Sequence, residues 1–205
     1  MSKIQPLIDQ ILNDCKKPGE TVEVQFTLKG YDFKKDVRFD SNCLLPYPKK
    51  KNSKVLIIAN EDLALKAAEL GLKYVKYEDV QGNTRDKKLL KNKLGIRHDA
   101  FIVPPDFNKA FEMRVFARKR KPHFIIKNPA ELFKLYEEVL RTVKFKLRKT
   151  NTVAFTAGYN GMETEKIIEN IITGIQHFVG LLKKGIGNVG SIHFKTTQGK
   201  SVRLY

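Results

Sequence analysis

Apolar positions along this chain change period several times, and each change predicts an element. Ile4, Leu7, Ile8, Ile11, Leu12 and Cys15 recur at three and four residues, which places them on one face of a helix that Pro18-Gly19 ends. In "TVEVQFTLKG" the period becomes two: Val22, Val24, Phe26 and Leu28 alternate with Thr21, Glu23, Gln25, Thr27 and Lys29, the pattern of a strand with one buried face. A short strand is predicted around Asn42–Leu45. Next come an unbroken apolar run "KVLIIA", a helix over Glu61–Leu70, a lysine-rich helix near Thr84–Leu94, strands "DAFIVP" and "HFIIK", and a helix over Pro129–Leu140. Alternation returns in "VKFKLRK" and "NTVAFTAG". A broad stripe of Ile167, Ile168, Ile171, Ile172, Ile175, Phe178, Val179, Leu181 and Leu182 then predicts a long helix, opened by Glu163 and Glu165 and stopped at Gly185. "SIHFKTT" is the last predicted strand.

Between the first and second groups lies "PYPKKKNSK", whose prolines and lysine run read as a linker. Alternating strands and helices beyond it predict a small parallel α/β unit. The flanking pieces carry strands with one buried face and too little apolar surface to stand alone, so they are expected to pair. The predicted fold is α+β with an inserted α/β: residues 1–48 and 142–205 form one discontinuous domain, and residues 49–141 form a Rossmann-like insert.

Charge narrows the partner class. Thirty-nine Lys and Arg against twenty-two Asp and Glu give a net charge of +17, so a polyanion is the first partner to consider, nucleic acid ahead of an anionic membrane surface. No run of eighteen apolar residues occurs and "MSKIQPLIDQ" lacks a signal-peptide core, which predicts a soluble chain kept inside the cell. Cys15 and Cys43 are expected to be reduced thiols, Cys15 buried and inert on its helix face, and the four histidines have no metal-ligand spacing. Neither metal nor cofactor is expected.

Several motifs imitate chemistry. "GIGNVG" has dinucleotide-fingerprint spacing, but a helix precedes it and a strand follows, the reverse of what aims amides at a pyrophosphate. "GKS" at Gly199–Ser201 has Phe194 where a phosphate loop needs glycine, and no helix follows. There is no Gly-x-Ser-x-Gly elbow, and no pair of carboxylates is placed for acid–base work. No enzyme is expected.

Two features point to nucleic acid, the first to RNA or DNA phosphates and the second to RNA. "RVFARKRKPHF" gathers Arg118, Lys119, Arg120 and Lys121 into one basic block suited to phosphates. "FKTTQGKSVRLY" does the opposite: Thr196, Thr197, Gln198 and Gly199 offer hydroxyls, an amide and open backbone, with Lys195, Lys200 and Arg203 beside them. Such a surface can read a folded RNA by shape and hydrogen bonds.

"HFKTTQGKSVRLY", preceded by "HFVGLLKKGIGNVGSI", resembles the end of the large-subunit ribosomal protein L-one family, with the closing Arg-Leu-Tyr most like its eukaryotic cytosolic L-ten-a form. "ETVEVQFTLKGYDFKKDVRF" is similar to the family's first strand and following loop, and the likeness extends over essentially the whole chain. The resemblance implies the two-domain L-one fold and a non-enzymatic constituent of the large subunit. This protein would bind rRNA of the mobile stalk beside the site where deacylated tRNA leaves, and would assist its release. It also implies location in the cytoplasmic ribosome, with nucleolar assembly in a eukaryote. Motif by motif, Lys17, Thr21 and Glu23 fall on one group of family RNA contacts, and Ser191, Thr197, Gln198 and Gly199 on another; Lys144, Lys146, Lys195, Lys200, Arg118 and Arg120 are further candidate phosphate contacts. Gln198 stands where the family usually has Met, Pro18 where an aromatic is expected, and the basic block has no glycine where the family has a glycine-rich loop. The alternatives are an assembly factor of the same fold on precursor rRNA and a nucleotide-using α/β enzyme.

Overall fold

A computed structural model describes residues 4–15, 17–32, 35–36, 38–109, 121–148 and 150–205. Most of the basic block, including Arg118 and Arg120, lies outside the described residues. In chain order the first elements are α1 (Ile4–Asn13), β1 (Thr21–Leu28), β2 (Asp40–Leu44), β3 (Val55–Ala59), α2 (Glu61–Glu69), β4 (Tyr74–Lys76), α3 (Tyr77–Val80) and α4 (Arg85–Arg97). They are followed by β5 (Ala100–Val103), β6 (His123–Ile125), α5 (Leu132–Arg141), β7 (Thr142–Lys146), β8 (Thr152–Tyr159), α6 (Thr164–Gly180), β9 (Val189–Thr196) and β10 (Val202–Arg203). The chain divides into two compact units, Met1–Lys51 with Arg141–Tyr205, and Asn52–Leu140.

In the unit built from both flanks, the described residues form an antiparallel sheet in the order β10-β9-β1-β8 and a separate β2–β7 ladder. β1 is central because its alternation is cleanest: Val22, Val24, Phe26 and Leu28 are all buried, and its other positions are half-exposed. It meets β8 on one side and β9 on the other, with Val24 opposite both Phe155 and Phe194. Helices α1 and α6 cover the inner face. Phe26 stacks on Phe178 of α6 with ring centroids 4.0 Å apart, and the β2–β7 ladder adds Cys43, Val143 and Phe145 to the same core.

Two residues of α6 fix how closely the helix lies on the sheet. A Cβ on Gly174 would overlap the Phe155 ring, so only glycine admits that ring. Asn170, fully buried, donates from Nδ2 to Ala157 O at 2.7 Å and to Tyr47 O at 3.2 Å, and its Oδ1 accepts from Tyr47 N at 3.0 Å. That side chain satisfies backbone groups that no ladder reaches.

The second unit has a parallel sheet in the order β4-β3-β5-β6. Every residue of β3 and β5 is buried, as a strand covered on both faces requires. Val55, Ile57 and Ala59 pack with Leu63 and Ala67 of α2 and Leu132 and Val139 of α5, while Leu56 and Ile58 pack with Val80, Phe101 and Phe107.

The structure departs from the sequence reading at three kinds of place. β4, α3 and β10 were not predicted, being two to four residues long, too short to show a period. Helix α6 stops at Gly180 and not at Gly185, which instead takes a positive φ of 51° at the start of a 3-10 turn over Gly185–Asn188. Cys15 lies beyond the end of α1 and is only half-buried, so the expectation of an inert thiol on the helix face is corrected.

Candidate nucleic-acid interface

β1 begins where β9 ends, because the two strands run antiparallel with Val22 opposite Thr196. This register brings residues from the two ends of the chain to one edge of the sheet. Thr21 Oγ1 and Thr197 Oγ1 share a hydrogen bond of 3.0 Å, and Thr21 donates to Glu23 Oε1 at 3.4 Å. Glu23 faces Lys195 across the ladder. The turn after β9 is then closed by Gly199 N donating to Thr196 Oγ1 at 3.0 Å. A Cβ on Gly199 would overlap that same oxygen, so glycine is required here by space and not by backbone angle.

Glu20, which sequence reasoning missed, ties the two halves together. The residue is 9% exposed; its Oε2 accepts from Gln198 N at 3.4 Å and from Cys15 Sγ at 3.5 Å, and its carbonyl accepts from Asn160 N at 2.7 Å. Oε1 is buried with no hydrogen-bond partner among the described residues. Leaving one oxygen of a buried carboxylate unsatisfied costs stability, and a cost of this kind often marks a functional position. No period or motif signals Glu20, since its role depends on closure between residues 178 positions apart.

Of the predicted residues, Thr21, Glu23, Thr197, Gln198 and Gly199 therefore converge. Lys17 is exposed just before them, and its carbonyl accepts from Cys15 Sγ at 3.5 Å. Lys200 is exposed beyond the turn. Ser191 is elsewhere on the sheet: it pairs with Thr27 and lies six residues from Thr197, about 20 Å along an extended strand. Lys144 and Lys146 stand on the separate β2–β7 ladder, both paired with Asp40, at 2.8 and 2.5 Å. Burial alone would raise the Asp40 pKa, but the bonds and positive charges of the two lysines outweigh it and hold the carboxyl below its usual value.

The site is thus a mostly uncharged hydrogen-bonding edge that includes the Glu23 carboxylate and is rimmed by cations. Hydroxyls that donate and accept, a side-chain amide, one carboxylate acceptor and a glycine backbone together suit ribose hydroxyls and base edges better than bare phosphate. Among the described residues no group of His, Cys, Asp or Glu could hold a metal ion, and no helix is long and apolar enough to cross a membrane.

Residues 11–200 match the model of the Ribosomal protein L1p/L10e family. The large ribosomal subunit protein uL1 of Encephalitozoon cuniculi is 30% identical over 95% of this chain and 91% of its own length. The uL1 of Neurospora crassa is 32% identical over 94% and 91%, and that of Oryza sativa subsp. japonica 30% identical over the full length of both.

Proposed function

The chain belongs to the Ribosomal protein L1p/L10e family, and from that membership we propose how it works: as a structural constituent of the large ribosomal subunit, it holds rRNA of the mobile stalk through the edge where β1 meets β9. Its work is recognition and not reaction. By moving with the stalk it assists departure of deacylated tRNA from the neighbouring site. The observation that carries the reading is the convergence of Thr21, Glu23, Thr197, Gln198 and Gly199, drawn from both ends of the chain, on one hydrogen-bonding edge.

Phosphate contacts from Lys17, Lys195 and Lys200 supply affinity, with a salt slope of roughly −0.7 to −0.9 per neutralised phosphate. The hydrogen-bonding edge supplies selectivity, because its groups read sugars and bases that an arbitrary helix does not present in the same arrangement. The test compares binding of the full chain to a stalk rRNA fragment and to an unrelated hairpin of equal length, across a salt series. Preference for the stalk fragment is expected to survive at physiological salt. Thr197→Ala is expected to weaken stalk binding about fivefold to tenfold, the scale of one lost hydrogen bond, without changing the salt slope. Binding of both RNAs alike, or a Thr197→Ala variant as tight as the parent, sinks the assignment of this edge.

A further inference from the structure

The face of the β10-β9-β1-β8 sheet turned away from the core is covered by neither α1 nor α6. Its residues are the half-exposed or exposed positions of each strand's alternation: Thr21, Glu23, Gln25 and Thr27 on β1, Ser191, His193 and Lys195 on β9, Thr152, Ala154 and Thr156 on β8, and Arg203 on β10. The ladder registers set them in rows across the strands. One row runs Arg203, His193, Gln25, Ala154, and it lies between Ser191, two residues away, and the strand-end edge at Thr197, four residues away.

That placement has a geometric consequence. Ser191 and Thr197 are both candidate contacts of one RNA, yet they stand about 20 Å apart, one near the start of β9 and the other just past its end. An RNA that touches both must lie over the residues between them. Those residues differ in kind from the edge. His193 and Arg203 bring planar, delocalised groups, Gln25 brings an amide with both donor and acceptor, and Ala154 is exposed and short, which leaves room at the end of the row. His193 Nδ1 lies 3.4 Å from Ser191 Oγ, and Arg203 Nε donates to Tyr205 O at 2.9 Å, so both planar groups are tied to neighbours. Planar side chains stack on unpaired bases, and an amide reads the edge of a base so held.

We propose that the Arg203–His193–Gln25 row is a second contact site of the same RNA, taking one unpaired nucleobase stacked on the His193 ring with the Gln25 amide at its edge. The inference rests on the reading of the β1–β9 edge given above, and extends it from hydrogen bonding at a strand end to base stacking on the open face. An RNA bound this way presents a single-stranded or bulged nucleotide opposite the middle of β9. A uniform duplex has no such base to offer.

The experiment measures stalk rRNA fragment binding by the full chain and its variants across a salt series, with thermal unfolding as a check on each fold. His193→Ala is expected to bind about tenfold more weakly with an unchanged salt slope, as loss of one stacked base predicts. His193→Phe, which keeps a ring but cannot bond Ser191, is expected to stay within about threefold of the parent. A His193→Ala variant that binds as the parent does overturns the proposal, and so does equal weakening by Ala and Phe, which makes the Ser191 bond and not stacking the cause. Thr197→Ala in the same series separates the two ideas. If it weakens binding while His193→Ala does not, only the stacking row fails; if neither weakens binding, the strand-end reading fails as well.

Discussion

Helix α4 and the β1–β9 edge make opposite use of polar residues. α4 carries Arg85, Lys87, Lys88, Lys91, Lys93 and Arg97 within thirteen residues, by density a strong candidate for phosphate binding. Yet two of its four lysines do internal work: Lys87 Nζ donates to Glu78 O at 2.9 Å, and Lys91, 4% exposed, donates to Gly82 O at 2.6 Å. Burial first, then the positive charges of Lys87 and Lys88, push the Lys91 pKa down. The same helix exposes Leu89 and, at 81%, Ile96. The edge has few charges, but its groups are gathered from both ends of the chain by direct hydrogen bonds. The difference teaches that net charge names a class of partner without locating a site; the proposed interface rests instead on convergence of unlike polar groups.

The comparison breaks most readily at the turn. Gly199→Ala places a methyl against Thr196 Oγ1, displaces the Gly199 N–H bond and shifts Thr197; stalk RNA affinity is expected to fall about thirtyfold to a hundredfold, at overpacking costs of ~2–3 kcal/mol, measured by equilibrium binding. Glu20→Ala releases the Gln198 amide and is expected to cost about fivefold in affinity with no change of salt slope, alongside faster hydrogen exchange at Gln198. Lys88→Ala with Lys93→Ala on α4 is expected to leave the ratio of stalk to hairpin binding unchanged; a collapse of that ratio would move the site to the second unit.

The smallest nonzero effect is expected at Asp40. Its pKa is depressed in the folded state, so its contribution to stability is present above the pKa of the unfolded chain and disappears as pH falls through the lower folded value. The side chain is 40% exposed, which limits the pair energies to roughly 0–1 kcal/mol. Asp40→Asn is therefore expected to shift neutral-pH unfolding by a degree or two and to flatten the acid limb of the stability curve. It also releases Lys144 and Lys146, and the measured salt slope for RNA shows whether either then reaches a phosphate.

Most of the fold was legible because most of its elements are long enough to repeat a pattern. β1 shows four alternations and α6 more than four turns of apolar stripe, and both were read from periodicity alone. β10 has two residues and β4 three, and neither can display a period. Cys15 was misplaced for a related reason: its spacing continues the apolar face of α1, but the helix has already ended. At the site, Thr197 was legible in the polar strand end itself and Thr21 through a family likeness, whereas spacing within the sequence said nothing of their contact. Glu20 and the His193 row could not be seen without the antiparallel register that defines them.

That register also governs when the protein can act. Thr21 waits for Thr197, 176 residues later, and β1 has no β9 to pair with until residues 189–196 have been synthesised. During synthesis, α2 to α5 can assemble locally while the first strand stays without its partner. A product released after residue 140 but before residue 189 carries most of the lysines and none of the completed edge. If the edge reads RNA as proposed, its selectivity is withheld from a nascent chain, and a truncated one never acquires it.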